Sequence, residues 1–143
     1  MPFLLTSAFR GLVEAVHGDL DEAGYPGIQA RHGFAMQAIG AGCTSVDLGQ
    51  RLGVSKQAAA KTAQSLADLG LIERVRDASD RRALILKPTS RGLDMLTKSA
   101  ESFQRHLSAW RERSGDGAMD TTLRTLAKAD PGSRGPLDLS EWN

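Results

Sequence analysis

The chain has 143 residues, with 18 Lys and Arg against 17 Asp and Glu and a formal net charge of +1. Hydrophobic residues make up 41% and charged residues 24%, the balance of an ordinary globular domain, which excludes an intrinsically disordered chain. The single cysteine, Cys43, excludes an intrachain disulfide and a cysteine-based zinc site, and the longest aliphatic run, Ala83–Leu86, is too short to span a bilayer.

In chain order, Phe9, Leu12, Val13, Val16 and Leu20 recur at helical spacing and predict a first helix from about Leu4 to Ala23. Gly24-Tyr25-Pro26-Gly27 ends it. A second helix is expected over Ile28–Ile39, with Phe34, Met36 and Ile39 as its apolar residues and Gly40-Ala41-Gly42 closing it. Thr44 or Ser45 caps a third helix with Asp47 in its first turn, and this helix stops at Gly53. Ser55 caps a fourth, Lys56–Leu69, with Gly70 just beyond its end.

Leu71–Arg76 and Ala83–Lys87 predict two strands, joined by the turn residues Asp77-Ala78-Ser79-Asp80. Pro88 offers no N–H, so the second strand is expected to end by Lys87. Thr89 then caps a long helix. Along it Leu93, Leu96, Ala100, Phe103, Leu107 and Trp110 recur at alternating spacings of three and four, a heptad seam. From Ser90 to Arg113 such a helix reaches ~36 Å at about 1.5 Å per residue, long for one small chain. A shorter helix, Asp116–Ala129, carries Met119, Leu123 and Leu126. The tail, 130–143, is rich in Pro and Gly and is expected to be irregular.

The near-neutral total conceals a segregation of charge. Residues 45–92 carry nine bases against five acids, a net of +4, while residues 1–44 and 93–143 have nets of −2 and −1. A basic middle between acidic flanks points to a polyanion partner for the middle, and a solvated surface is the plain alternative.

Within that basic segment lies Leu48-Gly49-Gln50-Arg51-Leu52-Gly53-Val54-Ser55-Lys56-Gln57-Ala58-Ala59. A helix-turn-helix needs a small residue at the crossing (Gly49) and apolar residues beneath it (Leu48, Leu52, Val54). It also needs a residue tolerating positive φ in the turn (Gly53) and a cap for the second helix (Ser55). A hairpin directly after it makes a winged helix. The stretch from Leu48 to Gly92, with its wing Asp77-Ala78-Ser79-Asp80-Arg81-Arg82 and its Thr89-x-x-Gly92 helix start, resembles the MarR (multiple-antibiotic-resistance regulator) family of transcription factors. The expected fold class is mainly α (α+β), a single domain over 1–143. In it the winged helix-turn-helix, 44–88, lies between N-terminal helices, 1–43, and C-terminal dimerisation helices, 89–129. The resemblance implies a homodimer that binds pseudo-palindromic operator DNA, usually as a repressor, and is released by a small, often aromatic, effector. Ala59 through Ala63 are smaller than is usual in that family, which implies either closer packing or a looser lobe.

In a docked helix-turn-helix the start of the second helix meets base edges in the major groove. Gln57 is suited to adenine, Lys61 to guanine or a phosphate, and Ala58 to a thymine methyl. Ser55 and Lys56 are suited to phosphates, Thr44 and Ser45 to phosphates or to capping alone, and Arg74 and Arg76 to phosphates from the hairpin. Arg81 and Arg82 are placed for the minor groove, with Asp80 orienting Arg82 as an ion pair. The dimer interface is expected from Phe3, Leu4, Leu5, Phe9, Leu107, Trp110, Leu123 and Leu126, and a candidate effector pocket from Leu12, Val16, His17, His32, Met36 and Ile39.

The three histidines, His17, His32 and His106, lack metal-ligand spacing, so no metal or cofactor is expected. Asp19, Asp21 and Glu22 read as a solvated helix end, and Cys43 as an inert thiol. No nucleotide-binding glycine loop or nucleophile triad is present, so an enzyme is not expected. The N-terminus shows no signal peptide, which implies a cytoplasmic protein without membrane contact. The alternative is a winged helix used for protein contact or assembly, without sequence-specific DNA binding.

Overall fold

A computed structural model of the chain describes residues 2–80 and 83–129. Arg81, Arg82 and the tail 130–143 therefore lie outside the described residues. The elements are α1 (Pro2–Glu22), α2 (Ala30–Ile39), β1 (Cys43–Thr44), α3 (Ser45–Leu52), α4 (Lys56–Asp68), β2 (Ile72–Arg76), β3 (Leu84–Pro88), α5 (Ser90–Ser114) and α6 (Asp116–Ala129). This is the mainly α, winged-helix class that the sequence predicts. The described residues form two compact units, one of residues 2–26 with 98–129 and one of residues 27–97. Helix α2 groups with the helix-turn-helix and the wing, not with α1.

In the 27–97 unit the sheet is antiparallel, in the order β1-β3-β2. Strand β1 was not expected, because two residues carry no alternation to read; it pairs Cys43 with Leu86 and Thr44 with Ile85. Strand β3 runs to Pro88, one residue beyond the expected end. Pro88 pairs with Ile72, while the neighbouring Thr89 N–H donates to the Leu71 carbonyl at 3.0 Å. The Pro88–Ile72 position is thus a non-hydrogen-bonded pair, so the missing N–H removes no bond to β2.

Met36, Ile39, Leu48, Leu66, Leu71 and Met95 are fully buried and form this unit's core. Helix α2 begins at Ala30, two residues later than predicted, because the Gln29 N–H donates to His32 Nδ1 at 3.1 Å. The other ring nitrogen, Nε2, meets Ser65 Oγ of α4 at 2.9 Å. A ring that accepts at Nδ1 carries its proton on Nε2, so His32 is a neutral donor to Ser65.

The start of α5 is set by one carbonyl. Thr89 Oγ1 accepts the Gly92 N–H at 3.0 Å and donates to the Gly70 carbonyl at 2.7 Å, as an N-cap that also closes the end of α4. A Cβ placed on Gly92 would lie 2.0 Å from the Leu71 carbonyl oxygen and 2.9 Å from Met36 Cε. Only glycine lets α5 approach the β2 entry this closely.

In the other unit, Asp19 is not a solvated helix-end acid. Its Oδ2 accepts from Ser102 Oγ, from Arg105 Nη2 at 2.8 Å and from His106 Nε2 at 3.0 Å. Ser102 is fully buried, and its hydroxyl is the main cause holding the Asp19 carboxyl below the usual carboxylate range. The predicted seam of α5 is only partly covered: Leu93 is 55% exposed, and Phe103, Leu107 and Trp110 are half-buried. Phe3 at 86% and Leu4 at 73% stand in solvent, as do Leu5, Leu123 and Leu126 to a lesser degree.

Replacing Gly92 by Ala is expected to cost about 3 kcal/mol, the upper range for overpacking. Gly18, on α1, is the control, because a Cβ added there would meet nothing within 4 Å. Gly18→Ala should be neutral or stabilising by up to about 1 kcal/mol. Urea midpoints of the two variants test the contrast.

Candidate nucleic-acid interface

The site is built on a helix crossing. A Cβ on Gly49 would sit 3.3 Å from the Val54 carbonyl oxygen and 3.4 Å from Ala59 Cβ. The absent side chain lets α3 and α4 come together at Ala59, and Ala59 and Ala63 are both fully buried on the inner face of α4. Of the two alternatives for the small residues of α4, the close-packed one is observed. Gly53 ends α3 at φ 66°, the left-handed conformation that L-residues with a Cβ disfavour. The Val54 N–H bonds the Gly49 carbonyl at 3.0 Å and closes the turn.

Ser55 caps α4, its Oγ accepting the Ala58 N–H at 3.1 Å. That bond uses a lone pair, so the hydroxyl proton remains to donate to an anion. Lys56, Gln57, Ala58, Ala60, Lys61 and Gln64 are exposed along α4. Gln57, Lys61 and Gln64 follow one another at spacings of four and three, and so share a face.

Thr44, not Ser45, caps α3. Its hydroxyl accepts the Asp47 N–H at 3.1 Å and donates to Asp47 Oδ2 at 2.8 Å, and its own N–H bonds the same carboxylate at 3.0 Å. These bonds hold the Asp47 carboxyl below its ordinary range. The Thr44 hydroxyl proton is spent inside the capping box, which favours capping over a phosphate contact. Ser45 is half-buried in the first turn.

The wing is closed by Asp77. Its Oδ1 accepts from the Ser79 N–H and the Ser79 hydroxyl, both at 2.7 Å, and its own N–H bonds the Ala83 carbonyl at 3.1 Å. Asp80 is at the tip, and its expected ion pair with Arg82 falls outside the described residues, as does Arg81. Arg74 and Arg76 are exposed on β2. Arg74 Nη1 donates to Gln64 Oε1 at 3.0 Å, and Gln64 Nε2 donates to Asp68 Oδ1 at 2.7 Å. Gln64 was not singled out from the sequence, although its spacing from Gln57 and Lys61 was there to read.

Two bases of the middle segment serve the fold. Arg51 donates to the Ala38 carbonyl at 2.6 Å, at the C-terminus of α2, and Arg91 Nε donates to the Leu69 carbonyl at 3.4 Å, at the end of α4. Cys43 is buried in β1, and burial pushes its thiol up from the ordinary value, the condition of an unreactive cysteine.

Of the six residues grouped as a candidate effector pocket, Met36 and Ile39 are fully buried core and His32 is bonded to Gln29 and Ser65. Val16 is buried in α1, and Leu12 and His17 are half-buried beside it in sequence. Among the described residues no group of three or more His, Cys, Asp or Glu is placed to hold a metal ion. Among them, too, no helix is long and apolar enough to cross a membrane.

Residues 34–83, which include the helix-turn-helix, β2 and the wing turn but not β3, match the family model for the MarR family. The chain has the winged-helix fold seen in solved MarR structures. The Mycobacterium tuberculosis protein RV1404 is similar in structure at 20% identity, with a TM-score of 0.75 over 94% of this chain and 92% of that one. A mutant of MarR from E. coli superposes with a TM-score of 0.70 at 19% identity, over 92% of this chain and 96% of that one. A mutant of MepR from S. aureus, solved bound to an oligodeoxyribonucleotide, superposes with a TM-score of 0.63 at 16% identity, over 90% and 94% of the two chains. No curated protein sequence matches the chain. Two departures from the MarR pattern, the small residues Ala59 and Ala63 and the proline at 88, are both accommodated within this fold.

Replacing Ser55 by Ala removes the α4 cap and should lower stability by about 1 kcal/mol, while Ser55→Asp, which retains a cap acceptor, should keep most of it. Thermal or urea unfolding of the two variants makes the comparison.

Proposed function

We propose that the chain is a sequence-specific DNA-binding transcription regulator of the cytoplasm. It acts as a homodimer on a pseudo-palindromic operator, as a repressor that a small aromatic effector releases. The observation that carries DNA binding is the outer face of α4. A helix fixed by a close crossing and an N-cap presents Lys56, Gln57, Ala58 and Lys61 to solvent at its N-terminal end. That is the geometry by which a recognition helix enters a major groove. Gln57 fits an adenine edge, Lys61 a guanine edge or a phosphate, and Ser55, Lys56 and Ser45 the backbone. Arg76 suits a phosphate from the exposed face of β2, and Arg81 and Arg82 are assigned from the sequence to the minor groove, with Asp80 orienting Arg82. Repression and release rest on the MarR resemblance, and so does the effector pocket. No catalytic step or cofactor is involved.

Dimerisation is supported by the apolar surface of the unit formed by residues 2–26 and 98–129. Phe3, Leu4, Leu5, Leu123 and Leu126 are exposed there, with Phe9, Leu107 and Trp110 half-covered, and a second copy would take these side chains out of water. Two copies would place two recognition helices one DNA turn apart, ~34 Å, in successive major grooves.

Gel-shift titration on the DNA flanking the chain's own gene should give a discrete shift that non-specific competitor does not remove. Lys61→Ala should weaken it by about 1–3 kcal/mol without lowering the unfolding temperature. The absence of any such shift would favour a winged helix used for protein contact. In sedimentation, the wild-type chain should run as a dimer and Leu107→Asp as a monomer; a monomeric wild type overturns the dimer.

A further inference from the structure

The line Arg74–Gln64–Asp68 has a chemical polarity. Arg74 has only donors to offer, so it must meet the amide oxygen of Gln64, and it does, at 3.0 Å. The carboxylate of Asp68 has only acceptors to offer, so it must meet the amide nitrogen, and it does, at 2.7 Å. Turning the amide over would set donor against donor at one end and acceptor against acceptor at the other. The Gln64 side chain is therefore held in one orientation by two partners on two elements, α4 and β2.

The strand brings Arg74 to this place. Arg74 pairs across the sheet with Leu86, which is buried, and lies two residues from Ile72, also buried. Cross-strand partners and residues two apart share a face, so Arg74 leaves the sheet on its covered side. It emerges beside the C-terminal half of α4 while remaining exposed itself. Gln64 is one turn along the helix from Lys61 and two turns from Gln57. The guanidinium of Arg74 thus stands at the far end of the face that carries Gln57 and Lys61. Five N–H groups belong to a guanidinium, and the bond to Gln64 uses one of them.

We propose that Gln64 is a positioning residue for DNA binding: with Asp68 setting the direction of its amide, it holds the Arg74 guanidinium at the edge of the recognition face to meet a backbone phosphate. This rests on the DNA-binding function proposed above. Gln64 reads no base in this arrangement. Its two amide ends are turned to Arg74 and Asp68, and its effect on DNA passes through Arg74.

The test is a set of salt titrations of operator binding by the full chain, with Lys61→Ala as the control for DNA binding itself. Arg74→Ala should lower affinity and reduce the slope of log K against log salt by about one per protomer, the signature of one lost phosphate contact. Gln64→Met keeps the length of the side chain and removes both hydrogen bonds. It should weaken binding three- to tenfold on every operator variant and shift the salt slope in the same direction as Arg74→Ala. The double variant should bind no more weakly than Arg74→Ala alone. Gln64→Met that changes preference at one base pair with an unaltered salt slope would make Gln64 a base reader and overturn the proposal. So would additive losses in the double variant, or wild-type affinity for Gln64→Met while Lys61→Ala binds poorly. If Lys61→Ala, Arg74→Ala and Gln64→Met all leave binding unchanged, the DNA interface itself is refuted rather than this detail of it. Both residues are exposed, so unfolding temperatures should match the wild type and confirm that binding alone is being read.

Discussion

Everything that the winged lobe presents to solvent depends on one missing side chain. A Cβ at Gly49 would stand 3.3 Å from the Val54 carbonyl oxygen, tighter than an ordinary contact, and 3.4 Å from Ala59 Cβ. The crossing fixes where α4 lies, the left-handed Gly53 fixes the turn into it, and Ser55 fixes its first residue. Once these are set, the outward face of α4 is determined by helical geometry alone. Ala59 on the inner face follows from the same constraint, since a branched side chain there would push the two helices apart.

A second pattern runs through the structure: backbone and side-chain groups left over at element ends are taken up by named partners. Thr44 and Asp47 close the start of α3, Arg51 the end of α2, Thr89 both the end of α4 and the start of α5, and Asp77 the base of the wing. Arginines of the basic segment divide between this work and the exposed surface. The net of +4 over residues 45–92 therefore overstates the charge free to meet a polyanion, because Arg51 and Arg91 face carbonyl oxygens. Among the described residues of this segment, the other exposed bases are Lys56 and Lys61 on α4, Arg74 and Arg76 on β2 and Lys87 on β3.

Features encoded within a few residues were legible in the sequence. Gly49, Gly53 and Ser55 announce the helix-turn-helix because sterics, φ and capping act locally, and Thr89 announces α5 for the same reason. Features whose partners lie far apart in the chain were not legible. Asp19 looked like a solvated helix end since its partners, Ser102 and His106, are 83 and 87 residues away. His32 gave no sign of Ser65, 33 residues on, and Gln64 none of Arg74 on the next element. Strand β1 escaped because pairing with β3, not its own two residues, makes it a strand. The heptad spacing of α5 is visible in the sequence, but its burial is not: Leu93 is exposed and Phe103, Leu107 and Trp110 are half-buried, since burial depends on what packs against a helix and not on its periodicity.

His32 has a consequence for how this sequence can vary. Its ring bridges two elements by accepting on one edge and donating on the other, inside a buried setting where only a flat side chain of that reach fits. Phenylalanine would match the volume and strand both the Gln29 amide and the Ser65 hydroxyl; asparagine would match the chemistry and fall short. The N–H of residue 29 is main chain and stays whatever side chain stands there, so the compensating change for such an exchange falls on position 65. Positions 32 and 65 should therefore drift together or not at all among relatives, while an exposed neighbour such as Gln37 wanders independently.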